Sequence, residues 1–169
     1  MGDFIAANST NYRVGRKAEY PVDRLVIHTM EGTFSGTTAW FQQGRPAAPS
    51  SAHFLVGRRG AVRQMVRMAD TAYHCGSRLQ RGWNDRSIGI ELEAWAGAAA
   101  PPKNLPFARD EFPPEMMSAL ALLVKANIVR RYPLILLDRA HIVGHAEVPG
   151  STHTDPGTHF PWEQFMSTL

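Results

Sequence analysis

Arg24-Leu25-Val26-Ile27-His28-Thr29, running into Met30-Glu31-Gly32, reads as a strand followed by a loop. Three apolar residues precede His28, which predicts a buried strand with the imidazole presented at its end. A side chain there is held rigidly yet still faces an opening, and that suits a metal ligand.

A distant segment carries matching chemistry. Gly144-His145-Ala146-Glu147-Val148-Pro149-Gly150-Ser151-Thr152-His153-Thr154-Asp155-Pro156-Gly157 cannot run as a helix, because its prolines and glycines break the period. It sets His145 and Asp155 ten residues apart in irregular backbone, with His153 between them. A catalytic zinc site uses three protein ligands, imidazole or carboxylate, and leaves its fourth position to water. This loop offers two, and His28 is the best candidate for the third. His153 stands as an alternative to Asp155, since either side chain reaches from the same loop.

Working outward, Ser87 to Glu93 is a further strand, apolar at Ile88, Ile90 and Leu92. Ala52 to Gly57 and Ala61 to Met65 are short strands joined by a hairpin signal, Arg58-Arg59-Gly60. Thr33 to Gln43 starts a short helix. Pro113 to Tyr132 is one amphipathic helix: Met116, Leu120, Leu123, Val124 and Ile128 follow helical spacing, Pro114 suits the first turn and Pro133 ends it. Ile135 to Leu137 and His141 to Val143 are short apolar runs, and Phe160 to Met166 is a brief terminal helix. Asp70 to Trp83 reads as a long functional loop, and Ala94 to Phe112, with its Ala/Gly/Pro run, as a surface excursion. The expected fold class is α/β, a single domain with a mixed central β-sheet flanked by helices. Residues 1–23 are expected as an N-terminal extension packed on a domain of residues 24–169.

A chain of 169 residues with 44% hydrophobic and 20% charged residues is long enough for one normal core and is not disordered. The longest apolar stretch, around Ala119 to Val124, is too short for a membrane span. Met1-Gly2-Asp3-Phe4 opens without a basic region and an apolar run, so cytoplasmic synthesis without a signal peptide is expected. A net charge of +3 favours anionic partners mildly, but the basic residues are spread out and no aromatic ladder accompanies them. No nucleic-acid partner, no membrane insertion and a monomer are the expectations. The single cysteine, Cys75, excludes an internal disulfide. It follows His74, but neighbours on an extended chain point to opposite faces, so a nucleophile–base pair is not expected.

Five segments occur in a telling order: Val26-Ile27-His28, Ser51 to Val56, Thr71 to Gly76, Asn84 to Glu93, and Gly144 to Gly157. Together they resemble the zinc-dependent N-acetylmuramoyl-L-alanine amidases of the type 2 class, a group that includes phage endolysins and anhydromuramyl-peptide amidases and is related to peptidoglycan recognition proteins. The resemblance spans about residues 24–163. It implies hydrolysis of the amide between N-acetylmuramic acid and L-alanine in peptidoglycan or muropeptides, with Zn2+ as cofactor. It places His28, His145 and Asp155 at the zinc-ligand positions, and Glu91 at a glutamate that assists the attacking water. Many relatives carry cysteine at the Asp155 position. Many carry lysine where this chain has His153, which would then donate to the oxyanion. Some phage relatives have tyrosine at the Ala52 position, so acid/base work falls more on Glu91.

Bland alternatives stand beside these roles. Glu91 and Glu93 share a strand face by period two and could be a surface pair. His53, among apolar residues, is either a core histidine or a site wall; His74 and Trp40 are further substrate-binding candidates. His141, four residues before His145 on an extended run, is too far to share a metal, and His159 is structural or at the surface. Three settings compete. An endolysin acting on the wall after holin-type release is preferred, on the context of Asn11 to Lys17 and Ile27 to Gly32. A cytoplasmic recycling amidase is the alternative, and a non-catalytic peptidoglycan receptor a third.

Overall fold

The computed structural model describes residues 2–76, 82–96 and 100–169. Its strands and helices in chain order are β1 (Asp3–Phe4), β2 (Tyr12–Arg13), β3 (Arg24–Thr29), α1 (Phe34–Gln42), β4 (Phe54–Val56), β5 (Val62–Gln64), β6 (Thr71–Ala72), α2 (Trp83–Arg86), β7 (Ser87–Leu92), α3 (Pro114–Leu123), α4 (Val129–Arg131), β8 (Ile142–Gly144) and α5 (Trp162–Ser167). The main sheet has six strands in the order β1–β5–β4–β7–β3–β8, and β2 pairs with β6 apart from it. β4, β7, β3 and β8 are mutually parallel, β5 is antiparallel to β4, and β1 is parallel to β5. The sheet is therefore mixed and flanked by helices, as the sequence predicts.

Period two divides β3 between two jobs. Leu25 and Ile27 enter the larger core with Phe54, Ile88, Ile90, Leu92, Ile142 and the apolar stripe of α3. Val26 faces the other way, into a small cluster with Cys75, Val143 and Val148. His28 shares the Val26 face, so one side of the sheet is sealed by helices while the other carries polar chemistry. The expected helix Pro113–Tyr132 is present from Pro114 to Arg131, with a π-helical turn at Val124–Ile128 joining α3 to α4. Met116, Leu120, Leu123, Val124 and Ile128 are all buried.

Several expectations are corrected. The segment read as the functional loop Asp70–Trp83 contains β6, which pairs with β2, and its remainder at residues 77–81 lies outside the described residues. Residues 97–99 of the expected excursion also lie outside them. The short apolar run Ile135–Leu137 lies in irregular backbone; Ile135 is buried while Leu134, Leu136 and Leu137 are exposed.

The first residues supply β1 to the main sheet and a polar clamp besides. Asn11 Nδ2 donates to the carbonyls of Phe41 and Gln43, both at 2.8 Å. Arg13 pairs with Asp85, and Arg16 donates to Met68 O at 2.8 Å and Ser87 O at 3.1 Å. These bonds tie Asn11 to Arg16 to the end of α1 and the start of β7.

Gly89 shows how tightly β7 is packed. A Cβ there would lie 2.5 Å from His74 Cγ. Gly89→Ala is expected to cost about 1–3 kcal/mol through overpacking. Urea unfolding of the variant measures this, and an unchanged midpoint would show that the His74 ring has room to move.

Candidate active site

Parallel pairing brings the C-terminal ends of β3, β7 and β8 to one edge of the sheet, where open α/β sheets expose their ligand sites. His28 of β3 pairs in register with Glu91 of β7. Ile27 pairs with Gly144, the last residue of β8, so His145 emerges directly beside His28. A 3-10 turn over His145–Glu147 then leads away from the strand. The returning loop is fastened by Ala146 N donating to Asp155 O at 2.9 Å. Gly144 permits this approach, since a Cβ there would meet Pro156 Cδ at 2.6 Å.

The chain thus gathers His28, His145 and Asp155, all buried, into one cluster whose ligating atoms lie within 4.8 Å of one another. His28 Nδ1 is 3.1 Å from Asp155 Oδ2, and His145 Nδ1 is 3.2 Å from Asp155 Oδ1. Ligands bonded tetrahedrally to zinc at ~2.0 Å are separated by about 3.3 Å along each edge, so the spacing suits that ion. Burial pushes the His28 imidazole down more than the Asp155 carboxylate pulls it up, favouring the neutral, ligating form. Burial also acts to raise the Asp155 carboxyl, but its close contacts with the His145 and His28 imidazoles outweigh it and hold the group below the usual carboxylate range.

Glu91 stands beside this cluster. Its Oε2 is buried with no hydrogen-bond partner among the described residues, and so is His145 Nε2. Burial first, then the charges of Asp155 and Glu31, push the Glu91 carboxyl well above its ordinary range. Glu93 is not its surface twin. The strand ends at Leu92, and Glu93 accepts from Phe34 N at 2.8 Å and Arg58 N at 3.0 Å, fixing the start of α1.

His153 stacks on His145, with ring centres 4.2 Å apart, and its side chain is 62% exposed. Its Nδ1 lies 3.8 Å from Asp155 Oδ1. Asp155, with one oxygen on each buried histidine, is better placed than His153 to be the third ligand. All four residues border a cleft of about 750 Å³, together with Glu31, Gly36, Trp40, Tyr73 and His74. Thr33 caps α1 and sets the helix along one wall of the cleft. Trp40 is 47% exposed there, with the Arg45 guanidinium 3.1 Å from its ring centre.

Two expectations fail here. His53 does not line the cleft. It is fully buried, where Gly89 N donates to its Nδ1 at 3.0 Å and Arg16 lies 2.8 Å from its Nε2, so it is a core histidine rather than a substrate contact. His74 and Cys75 do meet, with Sγ 3.1 Å from Nδ1. The chain is not extended at this point: the backbone N–H groups of both residues donate to one acceptor, Asn84 Oδ1, at 3.0 and 2.8 Å. Burial pushes the Cys75 thiol far up, so it is no nucleophile. His141 pairs with Asp138 and His159 with Asp110, both away from the cluster. Sequence reasoning missed Tyr73 and Glu31 as cleft residues; both are neighbours of residues it had singled out.

A family model described as N-acetylmuramoyl-L-alanine amidase matches residues 18–158, a span that holds the whole cluster and Glu91. The chain belongs to this amidase family. N-acetylmuramoyl-L-alanine amidase A of Achromobacter lyticus is 31% identical over 96% of this chain and 90% of its own length. A selenomethionine derivative of AmpD superposes with a TM-score of 0.76 at 25% identity, covering 99% of this chain and 94% of the other. AmiD of Escherichia coli, solved with anhydro-N-acetylmuramic acid-L-Ala-D-gamma-Glu-L-Lys, superposes with a TM-score of 0.68 at 32% identity, covering 90% of this chain and 59% of the other. Among the described residues of this family member, no helix is long and apolar enough to cross a membrane.

Proposed function

We propose that this amidase cleaves the amide joining N-acetylmuramic acid to the first L-alanine of the stem peptide, with zinc held by His28, His145 and Asp155. The observation that carries the reading is the convergence of two imidazole Nδ1 atoms on one carboxylate, at 3.1 and 3.2 Å, beside an unpartnered buried oxygen of Glu91. Zinc bound there supplies Lewis-acid polarisation of the carbonyl and lowers the pKa of the attacking water towards ~7.

The chain's own residues do the rest. Glu91 takes a proton from the attacking water and delivers it to the departing alanine nitrogen. Burial raises its affinity for protons, which suits delivery to a poor leaving group, and the positive charge of zinc held nearby would favour the ionised form that first accepts the proton. His153, exposed at the rim, donates to the oxygen that gains negative charge, an interaction worth about 3 kcal/mol when such a donor is preorganised. The wall formed by α1 and Tyr73 orients the sugar and stem peptide, with Trp40 contributing one aromatic edge.

As substrate, we favour soluble muropeptides over intact wall. The AmiD complex with an anhydromuramyl peptide supports this choice. The Asn11 to Lys17 context that suggested an endolysin also has a structural use, in the clamp that anchors α1 and β7. Rates on purified anhydromuropeptides and on intact sacculi, with and without chelator, test both layers. Chelator-sensitive release of free stem peptide is expected, faster from the soluble substrate. Activity indifferent to chelator would remove zinc from the reading, and rapid clearing of sacculi with slow muropeptide turnover would favour the endolysin role.

A further inference from the structure

We propose that Ser87 and His74 form a directional hydrogen-bond relay that fixes His28 as its Nε2–H tautomer, so that Nδ1 presents a lone pair to the His28–His145–Asp155 cluster. This deepens the zinc reading and rests on it.

The direction follows from proton bookkeeping along a buried row of groups. The carbonyl of Trp83 can only accept, and Ser87 Oγ donates to it in a short bond. A hydroxyl has one proton, so towards His74 the same oxygen can only accept. His74 Nε2, 3.2 Å from Ser87 Oγ, must therefore carry the hydrogen. A buried imidazole with no carboxylate beside it stays neutral and carries a single N–H, which leaves His74 Nδ1 as an acceptor. His28 Nε2 lies 3.0 Å from that Nδ1 and must be its donor. His28 Nδ1 is then left without a hydrogen, 3.1 Å from Asp155 Oδ2. Two lone pairs facing each other at that separation repel unless a cation lies between them.

The packing around the row keeps its order. Ser87 is fully buried, and His74 and His28 are 7% and 2% exposed, so bulk water has little access through which to reverse the sequence of donors. Cys75 Sγ, 3.1 Å from His74 Nδ1, offers a second weak donor to the same lone pair. Gly89 gives the His74 ring its place, since any Cβ there would collide with it. Histidine ligands of metals usually donate their second N–H to a carboxylate, carbonyl or water, and that partner sets the tautomer. Here a second imidazole fills the role, and it can accept because a serine holds its own proton on the far side. His74 is thus a positioning residue, besides bordering the cleft where the sequence suggested a substrate contact.

Long-range proton–nitrogen correlation spectra of the metal-free protein at mildly alkaline pH read the tautomer of each ring directly. The wild type is expected to show His28 protonated on Nε2. Ser87→Ala removes the acceptor that orders His74, and His28 should become a mixture of tautomers, with zinc affinity falling about 10–100-fold in chelator competition. His74→Leu should do the same. His74→Asn, whose amide oxygen stands in for Nδ1, should restore the Nε2–H form and most of the affinity. Ser87→Ala, a small change inside a strand, carries the test if His74→Leu fails to fold. Wild-type His28 protonated on Nδ1, or a Ser87→Ala variant with unchanged tautomer and affinity, would overturn the relay. A wild type with the expected tautomer that binds no zinc would instead sink the zinc reading and leave the relay standing.

Discussion

Glu91→Gln is expected to lower kcat by about 10²–10⁴-fold, the range for losing a positioned acid/base, while zinc stays bound. Glutamine keeps the shape of the side chain but carries no proton between water and the leaving nitrogen. The same substitution should make the metal-free protein more stable at neutral pH. Burial and the charges of Asp155 and Glu31 raise the folded pKa of Glu91 well above the ordinary carboxyl value of 4.5. Between that value and the higher folded one, the native state holds a proton that the unfolded chain has lost. Stability therefore declines as pH climbs through the interval, and is fully present only below about 4.5. Glutamine does not titrate, so the variant should lack this part of the decline. Unfolding free energies of both proteins across pH 4–9, set beside their turnover rates, check the two halves together. Wild-type turnover in the variant would take Glu91 out of the chemistry, and identical pH profiles would mean that its carboxyl is not desolvated.

Asp155→Ala is expected to abolish measurable turnover and to weaken zinc binding by more than about 100-fold. Loss of an outer partner alone costs 10–100-fold in metal affinity, and this change removes a ligand. It also strips the carboxylate on which His28 and His145 converge. His153→Ala provides the contrast, since that ring sits at the rim with its Nδ1 3.8 Å from Asp155. It should slow turnover and leave zinc in place. Isothermal titration with zinc separates the two variants. Equal losses of affinity would make His153 a ligand and revive the alternative that the loop sequence allowed.

Much of this site was legible because its residues sit where simple patterns are strong. An apolar run ending in His28 marks β3, and alternating Ile88, Ile90 and Leu92 mark β7. Proline and glycine around His145 and Asp155 mark a loop that no helix could replace. Parallel pairing then puts His28 and Glu91 in register; the family resemblance had placed both at one site, which spacing alone did not. The two-residue strands β1, β2 and β6 were hidden for a physical reason. Pairing between Tyr12–Arg13 and Thr71–Ala72 is too short to leave a period and spans some sixty residues of chain. His74 and Cys75 were misread because the period-two rule was applied where Asn84 bends the backbone. His53 was ambiguous in sequence, and its contacts with Gly89 and Arg16 resolve it as core.

One ion is expected to sit among His28, His145 and Asp155. Diffraction from zinc-soaked crystals, recorded on both sides of the zinc absorption edge, tests it most directly. A single anomalous peak about 2.0–2.2 Å from His28 Nδ1, His145 Nδ1 and an Asp155 oxygen is predicted. A peak elsewhere, or none among these three side chains at saturating zinc, would contradict it.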